Sequence, residues 1–380
     1  MSSFAIYRLP HADHCIYLQQ THGRPEQLSS CEQLNGRTGF VFAPFHISQD
    51  HPLLLITPDK SETIPVSQLG QAARRPCVAS EWFEQSGQSL HPASSDNERA
   101  CYRQDFNRFL QQLSAGTFQK LVLARCAVMS ADHEETPMTL FQRACERYPR
   151  LFVALVGTPQ SGMWLVATPE ILLEGQARQW RTIALAGTMQ LTGEALNFDM
   201  PPARQADNQQ PSLIERNISW STKNIQEQRY VATYMAEQLK PFASQLLEEG
   251  PRTVRAANLV HLRSDFTFTL YNNARAGDLL QALHPTPAVC GLPKQQAFDF
   301  ILQNEHTPRR YYSGFMGPFG EDETHLYVTL RCMQIDSHAY RLYAGGGLLK
   351  DSLEEQEWQE TEAKMETMRA IIAPHRPPIV

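Results

Sequence analysis

The end of the chain combines three patterns that predict a strand, a turn and a helix. Within residues 340–344 every second position is apolar, which is the period of a strand with one buried face. Three glycines at 345–347 follow, and we expect them to form a turn whose N–H groups can bind an anion. Residues 353–368 predict a helix with Glu357, Glu360 and Lys364 on one face. Such a ridge is usually a solvated helix face, but the glycines beside it favour a ligand site.

Strand and helix patterns alternate through the rest of the chain. The strand predicted at 118–129 places Lys120 on an apolar face, where a lysine either extends to water or has a function. Further helices are predicted at 96–113, 139–148, 221–239, 277–283 and 294–304. Further strands are predicted at 39–45, 52–56, 151–156, 163–167, 171–173, 181–189, 253–262, 264–271, 311–316 and 325–335.

Two ionisable residues stand out within these apolar segments. Glu170 interrupts a hydrophobic run, so it either forms a structural pair or has a raised pKa and donates a proton. His261 is expected at the end of a strand, where a histidine is commonly a satisfied core residue. Residues 191–219 are polar and predict a mobile loop, whereas the proline-rich segment 284–293 predicts a rigid pocket wall.

Composition narrows the possible partners. The 380 residues are 42% hydrophobic and 19% charged, and the net charge of −6 argues against a nucleic acid or an anionic membrane as partner. The chain starts without a signal-peptide pattern and has no apolar run of bilayer length, so we expect a cytoplasmic protein. Its eight cysteines are scattered without a CxxC pair, as is typical of reduced thiols. A small-molecule substrate is therefore expected.

Seven segments occur in the order found in the chorismate-utilising enzymes, and the chain resembles that family from about residue 95 to residue 370. The segments are KLVLAR, ATPEILL, ALAGT, STKNIQEQ, LHPTPAVCGLP, VTLRC and AGGG with EWQETEAK. The resemblance implies a single large α/β (α+β) unit, with two stacked antiparallel sheets, helices outside and the active site in the cleft. Residues 1–94 match loosely and would be a divergent N-terminal part of this fold, and residues 95–380 the chorismate-binding catalytic region.

The resemblance also assigns roles to individual residues. Lys120 would be the general base and Glu170 the general acid. Glu227 and Glu360 would bind Mg²⁺, a hard ion suited to carboxylate oxygens, and Glu357 would orient a water on the metal. The remaining positions would bind chorismate. Arg331 would hold one carboxylate, the amides of Gly187, Gly345, Gly346 and Gly347 with Thr188 and Lys364 the other, and His261, Ala288, Tyr312, Leu330 and Tyr343 would form the walls.

Two positions indicate water as the nucleophile. Amine-adding relatives carry Gln at Lys120, and one class carries a nucleophilic Lys at Ala186. A neutral Lys120 would then activate water for attack on C2 of chorismate, while Glu170 protonates the departing C4 hydroxyl, which gives isochorismate. Asn224 and Gln228 depart from the family pattern next to the metal acids.

Other activities stay open at this point. Salicylate synthase shares the lysine base, whereas an anthranilate synthase large subunit or an inactive chorismate-binding subunit is disfavoured by Lys120 and by the intact acids. We expect a monomer that needs no glutaminase subunit and serves menaquinone or siderophore biosynthesis.

Overall fold

The computed structural model describes residues 2–72, 95–131, 135–190, 219–256, 259–272 and 275–373. Strands β1–β9 are Ser3–Arg8, His14–Gln20, Glu26–Leu28, Gly39–Ala43, Leu53–Ile56, Lys60–Pro65, Lys120–Ser130, Phe152–Thr158 and Gly162–Thr168. Strands β10–β18 are Ile171–Gln176, Gln179–Gln190, Ala243–Ala256, Leu259–Leu270, Gly291–Leu292, Phe315–Phe319, Glu323–Val328, Cys332–Ile335 and Ala339–Leu348. Helices α1–α6 are Ser95–Ser114, Pro137–Arg147, Thr222–Leu239, Ala276–Leu283, Lys294–Asn304 and Glu354–Ile372.

These strands form two antiparallel sheets, each with nine strands in the described part of the chain. The first sheet has the order β14-β7-β18-β17-β9-β8-β1-β2-β6, and the second β12-β13-β11-β10-β16-β15-β4-β5-β3. Strands from the first 65 residues complete one end of both sheets. The N-terminal segment is thus built into the same two layers as the rest of the chain.

Apolar side chains fill the space between the sheets and the space under the helices. Tyr7 and Trp164 of the first sheet meet Phe42 and Tyr327 of the second in one central cluster. Helices α3 and α4 cover the outer face of the second sheet. Helices α2 and α6 cover one part of the outer face of the first sheet, and α1 and α5 another. The predicted fold, two stacked antiparallel sheets with helices outside, is confirmed.

The helices begin and end within a few residues of the predicted bounds, but four strand predictions are wrong. The strand predicted at 311–316 begins only at Phe315. The glycines at 345–347 are not a turn, because they lie inside β18 and pair with β7. The strand predicted at 253–262 joins parts of two strands, so His261 is inside β13 and not at a strand end. The strand predicted at 325–335 is interrupted before Cys332, and Arg331 lies in the interruption with a φ of 46°.

The remaining structural predictions concern the polar loop, the thiols and the membrane. The loop predicted at 191–219 lies, apart from Ser219, outside the described residues. Within the described ranges the seven cysteines are free thiols. No helix in these ranges combines the length and the apolar character needed to cross a bilayer.

Candidate active site

A cavity with about 650 Å³ of empty space, part of it open to solvent, is lined by residues of both sheets and of helices α3 and α6. Thirteen predicted site residues line it: Glu170, Gly187, Thr188, Glu227, His261, Ala288, Tyr312, Leu330, Arg331, Tyr343, Gly345, Gly347 and Lys364. Five further lining residues had no predicted role, although each lies in one of the seven segments that carry the resemblance: Val122, Pro169, Leu185, Val289 and Ala344. Four predicted residues are outside this lining: Lys120, Gly346, Glu357 and Glu360.

Lys120 is the first residue of β7 and is fully buried. Its Nζ lies 3.1 Å from Glu227 Oε1, which is an ion-pair distance. The angles are not those of a hydrogen bond, and no described residue offers Nζ another acceptor. The alternative of a lysine that extends to water is therefore excluded. The ammonium is held beside the cavity-lining carboxylate of Glu227 with its hydrogen-bonding capacity unused.

Glu170 lies between β9 and β10 and is 5% exposed. Burial raises the pKa of its carboxyl to about 7, although the positive charges of Lys120, Lys364 and Arg331 oppose the shift. Burial disfavours the charged carboxylate because the cavity solvates it less well than water does. Glu170 can therefore carry a proton near neutral pH, as a general acid must.

Arg331 and His261 form a buried polar pair on the cavity wall. Arg331 Nη2 lies 2.6 Å from His261 Nε2, and His261 Nδ1 lies 3.2 Å from Thr188 Oγ1. Burial, and then the charge of Arg331, holds the pKa of His261 well below its usual range. Burial also lowers the pKa of Arg331 to about 10. The arginine can only donate, so the neutral imidazole accepts at Nε2 and its proton is assigned to Nδ1, facing Thr188.

A β-bulge shapes the wall opposite β18. The register between β11 and β13 shifts between Ala186 and Thr188, and Gly187 at this point has a φ of +76°. A Cβ on Gly187 would lie 2.9 Å from the carbonyl oxygen of Asn224 on α3. Glycine is required both for the backbone angle and for the close approach of α3.

Two glycine peptide groups of β18 face away from β7. The facing residues of β7 direct their N–H groups elsewhere, since Ala124 N donates to Glu305 and Val122 N donates to the carbonyl of Cys290. Along an antiparallel pair, residues whose peptide groups bond to the partner strand alternate with residues whose peptide groups point away from it. The peptide groups of Gly345 and Gly347 therefore point to the other edge of β18. There β17 pairs only as far as Tyr343. The peptide groups of Gly345 and Gly347 therefore do not bond to β17 and face the cavity.

Each of the three predicted metal acids is paired with a lysine. Glu227 faces Lys120, Glu357 pairs with Lys223, and Glu360 Oε1 lies 2.7 Å from Lys364 Nζ. Burial, and then the charge of Glu360, raises the pKa of Glu357 to about 6 despite the bond from Lys223. Lys364 Nζ also donates to the carbonyl of Gly345 at 2.8 Å.

The donor chemistry at this edge fits a hard divalent cation. A Cβ on Gly346 would lie 3.3 Å from Glu357 Oε2 and 3.8 Å from Glu360 Oε1, and one on Gly347 would lie 2.1 Å from Glu227 Oε1. Glu357 and Glu360 therefore approach Gly346, and Glu227 approaches the neighbouring Gly347 from the opposite face of the strand. Within the described ranges no three ligating side chains lie close enough to hold one ion together. A pair of acids, completed by substrate and water, suits Mg²⁺ better than an all-protein cage.

Known proteins share both the sequence pattern and the fold. The family described as chorismate binding enzyme matches residues 55–373. The chain is 30% identical over 298 residues to isochorismate synthase DhbC of Bacillus subtilis, covering 75% of this chain and 70% of that protein. The solved structure of MenF, the menaquinone-specific isochorismate synthase of Escherichia coli, matches with a TM-score of 0.74 and 20% identity over 97% of this chain and 88% of MenF.

A second solved structure, anthranilate synthase component I of Streptococcus pneumoniae, matches with a TM-score of 0.63 and 16% identity over 96% of this chain and 89% of that one. At such identities the two structural similarities show the fold alone. The family match covers most of the chain and confirms the family predicted from the motifs. The chain therefore belongs to the chorismate-binding enzyme family.

Proposed function

We propose that this protein is an isochorismate synthase, an isomerase that interconverts chorismate and isochorismate. The observation that carries the proposal is the buried carboxyl of Glu170, whose pKa burial raises to about 7, in a cavity that also holds an arginine and borders a buried lysine. The relative DhbC, named an isochorismate synthase, supports the same reaction. A hydroxyl exchange requires an acid and a base beside the same substrate, and Glu170 in the cavity with Lys120 at its border would supply them.

In the proposed reaction a water molecule loses a proton to Lys120 as its oxygen bonds to C2 of chorismate. The ring double bonds shift, the C4–O bond breaks, and the leaving hydroxyl takes the proton of Glu170. The reverse reaction exchanges the two roles, because each residue then holds the proton state that the return step needs. This step requires Lys120 as a neutral amine, and a cation held by Glu227 would offset the carboxylate charge that favours the ammonium form.

Binding of the dianionic substrate would use the polar groups on two sides of the cavity. The guanidinium of Arg331 would donate two hydrogen bonds to one carboxylate. The hydrogen bond from Arg331 to His261 Nε2 fixes the orientation of the guanidinium. The N–H groups of Gly345 and Gly347 and the ammonium of Lys364 would face the other carboxylate. Ala288 and Leu330, with Tyr312 and Tyr343, would form apolar walls that exclude all water except the attacking molecule.

Mg²⁺ is part of the proposal. Glu227 and Glu360 would hold it, Glu357 would orient a water on it, and the bound ion would neutralise carboxylate charge in a site with low polarity. By the same proposal the product enters menaquinone or siderophore biosynthesis, and the enzyme works as a monomer without a glutaminase subunit.

The test is product analysis after incubation of the purified protein with chorismate and Mg²⁺. Isochorismate should form, and isochorismate as the starting material should return the same equilibrium mixture. Salicylate and pyruvate as the main products would instead identify a salicylate synthase. An amine-containing main product in ammonium buffer would overturn the assignment of water as the nucleophile.

A further inference from the structure

Glu305 and Arg309 form a buried ion pair behind the active-site wall. Both side chains are nearly inaccessible, with 2% and 3% exposure. Arg309 Nη2 lies 2.6 Å from Glu305 Oε2, and Arg309 Nε lies 2.7 Å from Oε1, so the guanidinium holds both carboxylate oxygens. Such a bidentate pair fixes orientation as well as charge.

The remaining hydrogen bonds of this pair go to the backbone of two other segments. Arg309 Nη2 donates to the carbonyl of Val122 at 2.7 Å, and Arg309 Nη1 donates to the carbonyl of Val289 at 2.6 Å. Glu305 Oε2 accepts the N–H of Ala124 at 2.9 Å. The pair therefore fastens β7 to the loop before β14 through three bonds.

The backbone segments that bond to this ion pair line the active-site cavity. Val122 and Val289 both line it, and Val122 is two residues from Lys120 on β7. Glu305 and Arg309 themselves line a different pocket, together with Phe45 and His51. Because neither side chain lines the active-site cavity, any effect on the reaction must pass through the backbone of β7 and of the loop.

We propose that Glu305 and Arg309 are positioning residues that set the place of Lys120 and of the Val289 wall relative to the substrate. This inference rests on the proposed function for its catalytic consequence. A displacement of about 1 Å in a reacting group can lower a rate by about 10²-fold. Hydrogen bonds that hold the backbone two residues from the base can therefore affect kcat. A merely structural pair would affect the fraction of folded protein and leave kcat per folded molecule unchanged.

The test compares Arg309→Lys with Arg8→Lys. A lysine at 309 keeps the positive charge beside Glu305 but cannot hold two carboxylate oxygens and two carbonyls at once. Arg8 is a matched control, since its guanidinium is equally buried and donates to the carbonyls of Cys145, Tyr148 and Leu151, none of which lines the active-site cavity. Arg8 donates three such bonds, all to carbonyls, and Arg309 donates four, two of them to the carboxylate of Glu305.

We expect Arg309→Lys to lower kcat by about tenfold or more, with the chorismate KM changed less than about threefold, and Arg8→Lys to keep the kcat of the unmodified protein. Hydrogen–deuterium exchange of residues 118–126 should be faster in Arg309→Lys than in Arg8→Lys. Equal kcat in the two variants, or unchanged exchange in 118–126, would overturn the positioning role. If the unmodified protein does not convert chorismate, the proposed function fails, and the exchange experiment still decides whether the pair holds β7 in place.

Discussion

Replacement of Glu170 by glutamine should stabilise the fold at alkaline pH while it removes activity. The pKa of Glu170 is about 7 in the folded protein, against 4.5 for an ordinary glutamate, because burial disfavours the carboxylate. A carboxyl whose pKa is raised by folding contributes stability that is complete below pH 4.5 and is lost as the pH rises through 7. At about 1.4 kcal/mol per pH unit, the loss reaches about 3 kcal/mol by pH 8. Glutamine cannot ionise and avoids this loss.

The assay is the free energy of unfolding of both proteins, measured by denaturant titration at pH 4, 6 and 8. We expect the two values to be close at pH 4 and to diverge by about 3 kcal/mol in favour of Glu170→Gln at pH 8. Parallel pH dependence in the two proteins would refute a buried, protonated Glu170. Turnover of chorismate should fall by about 10²-fold or more in the same variant, since the leaving hydroxyl loses its proton donor.

Glu174→Gln is the matched control, with the opposite sign. Burial alone would raise the pKa of Glu174, but the hydrogen bonds and charges of His325, Arg181 and Tyr327 outweigh it and lower that pKa to about 2. A depressed pKa contributes stability above pH 4.5 that is lost as the pH falls through 2. Glu174→Gln should therefore lower the free energy of unfolding at pH 8. A gain in stability at pH 8 would mean that the pKa of Glu174 is raised like that of Glu170 in spite of its partners, and it would contradict the assigned direction.

Lys120→Ala should lower kcat by about 10²-fold or more while equilibrium binding of chorismate persists; near-normal turnover would place the base elsewhere. EDTA should abolish turnover and added Mg²⁺ restore it with the circular dichroism spectrum unchanged, and Glu360→Gln should raise the Mg²⁺ concentration that gives half-maximal rate. Full activity in excess chelator would contradict the metal assignment. Gly347→Ala should abolish turnover, because the new Cβ would lie 2.1 Å from Glu227 Oε1, whereas Gly70→Ala, with its nearest atom at 3.5 Å, should not.

The layered fold and most of the cavity lining were predicted from the order of the seven segments, through the resemblance to the family. Thirteen predicted residues line the cavity although they lie on both sheets, two helices and several loops. Apolar periodicity alone could not separate β12 from β13, since residues 253–262 contain apolar positions throughout and neither glycine nor proline. This is why His261 was expected at a strand end.

Other features escaped prediction because tertiary contacts create them. Arg331 leaves the strand pattern and adopts a φ of 46°, although its flanking residues alternate as in a continuous strand. Nothing in local periodicity distinguishes Glu305 and Arg309 from an exposed pair four residues apart on a helix. Their role follows from the two carbonyls and the amide that they reach, which belong to residues far away in the sequence.

The three glycines of β18 show how the strand and the site determine each other. Glycine weakens a strand by about 0.5–1 kcal/mol per residue, so the sequence predicted that the strand would end there. The strand continues because residues 339–348 all pair with β7. In return, Tyr312 Oη, Glu357 Oε2 and Glu227 Oε1 lie within 3.3 Å of where a Cβ would stand at positions 345, 346 and 347 respectively. Side chains there would displace the phenol and Glu227 and would crowd Glu357, so the missing Cβ atoms make room for the chemistry that we assign to this edge.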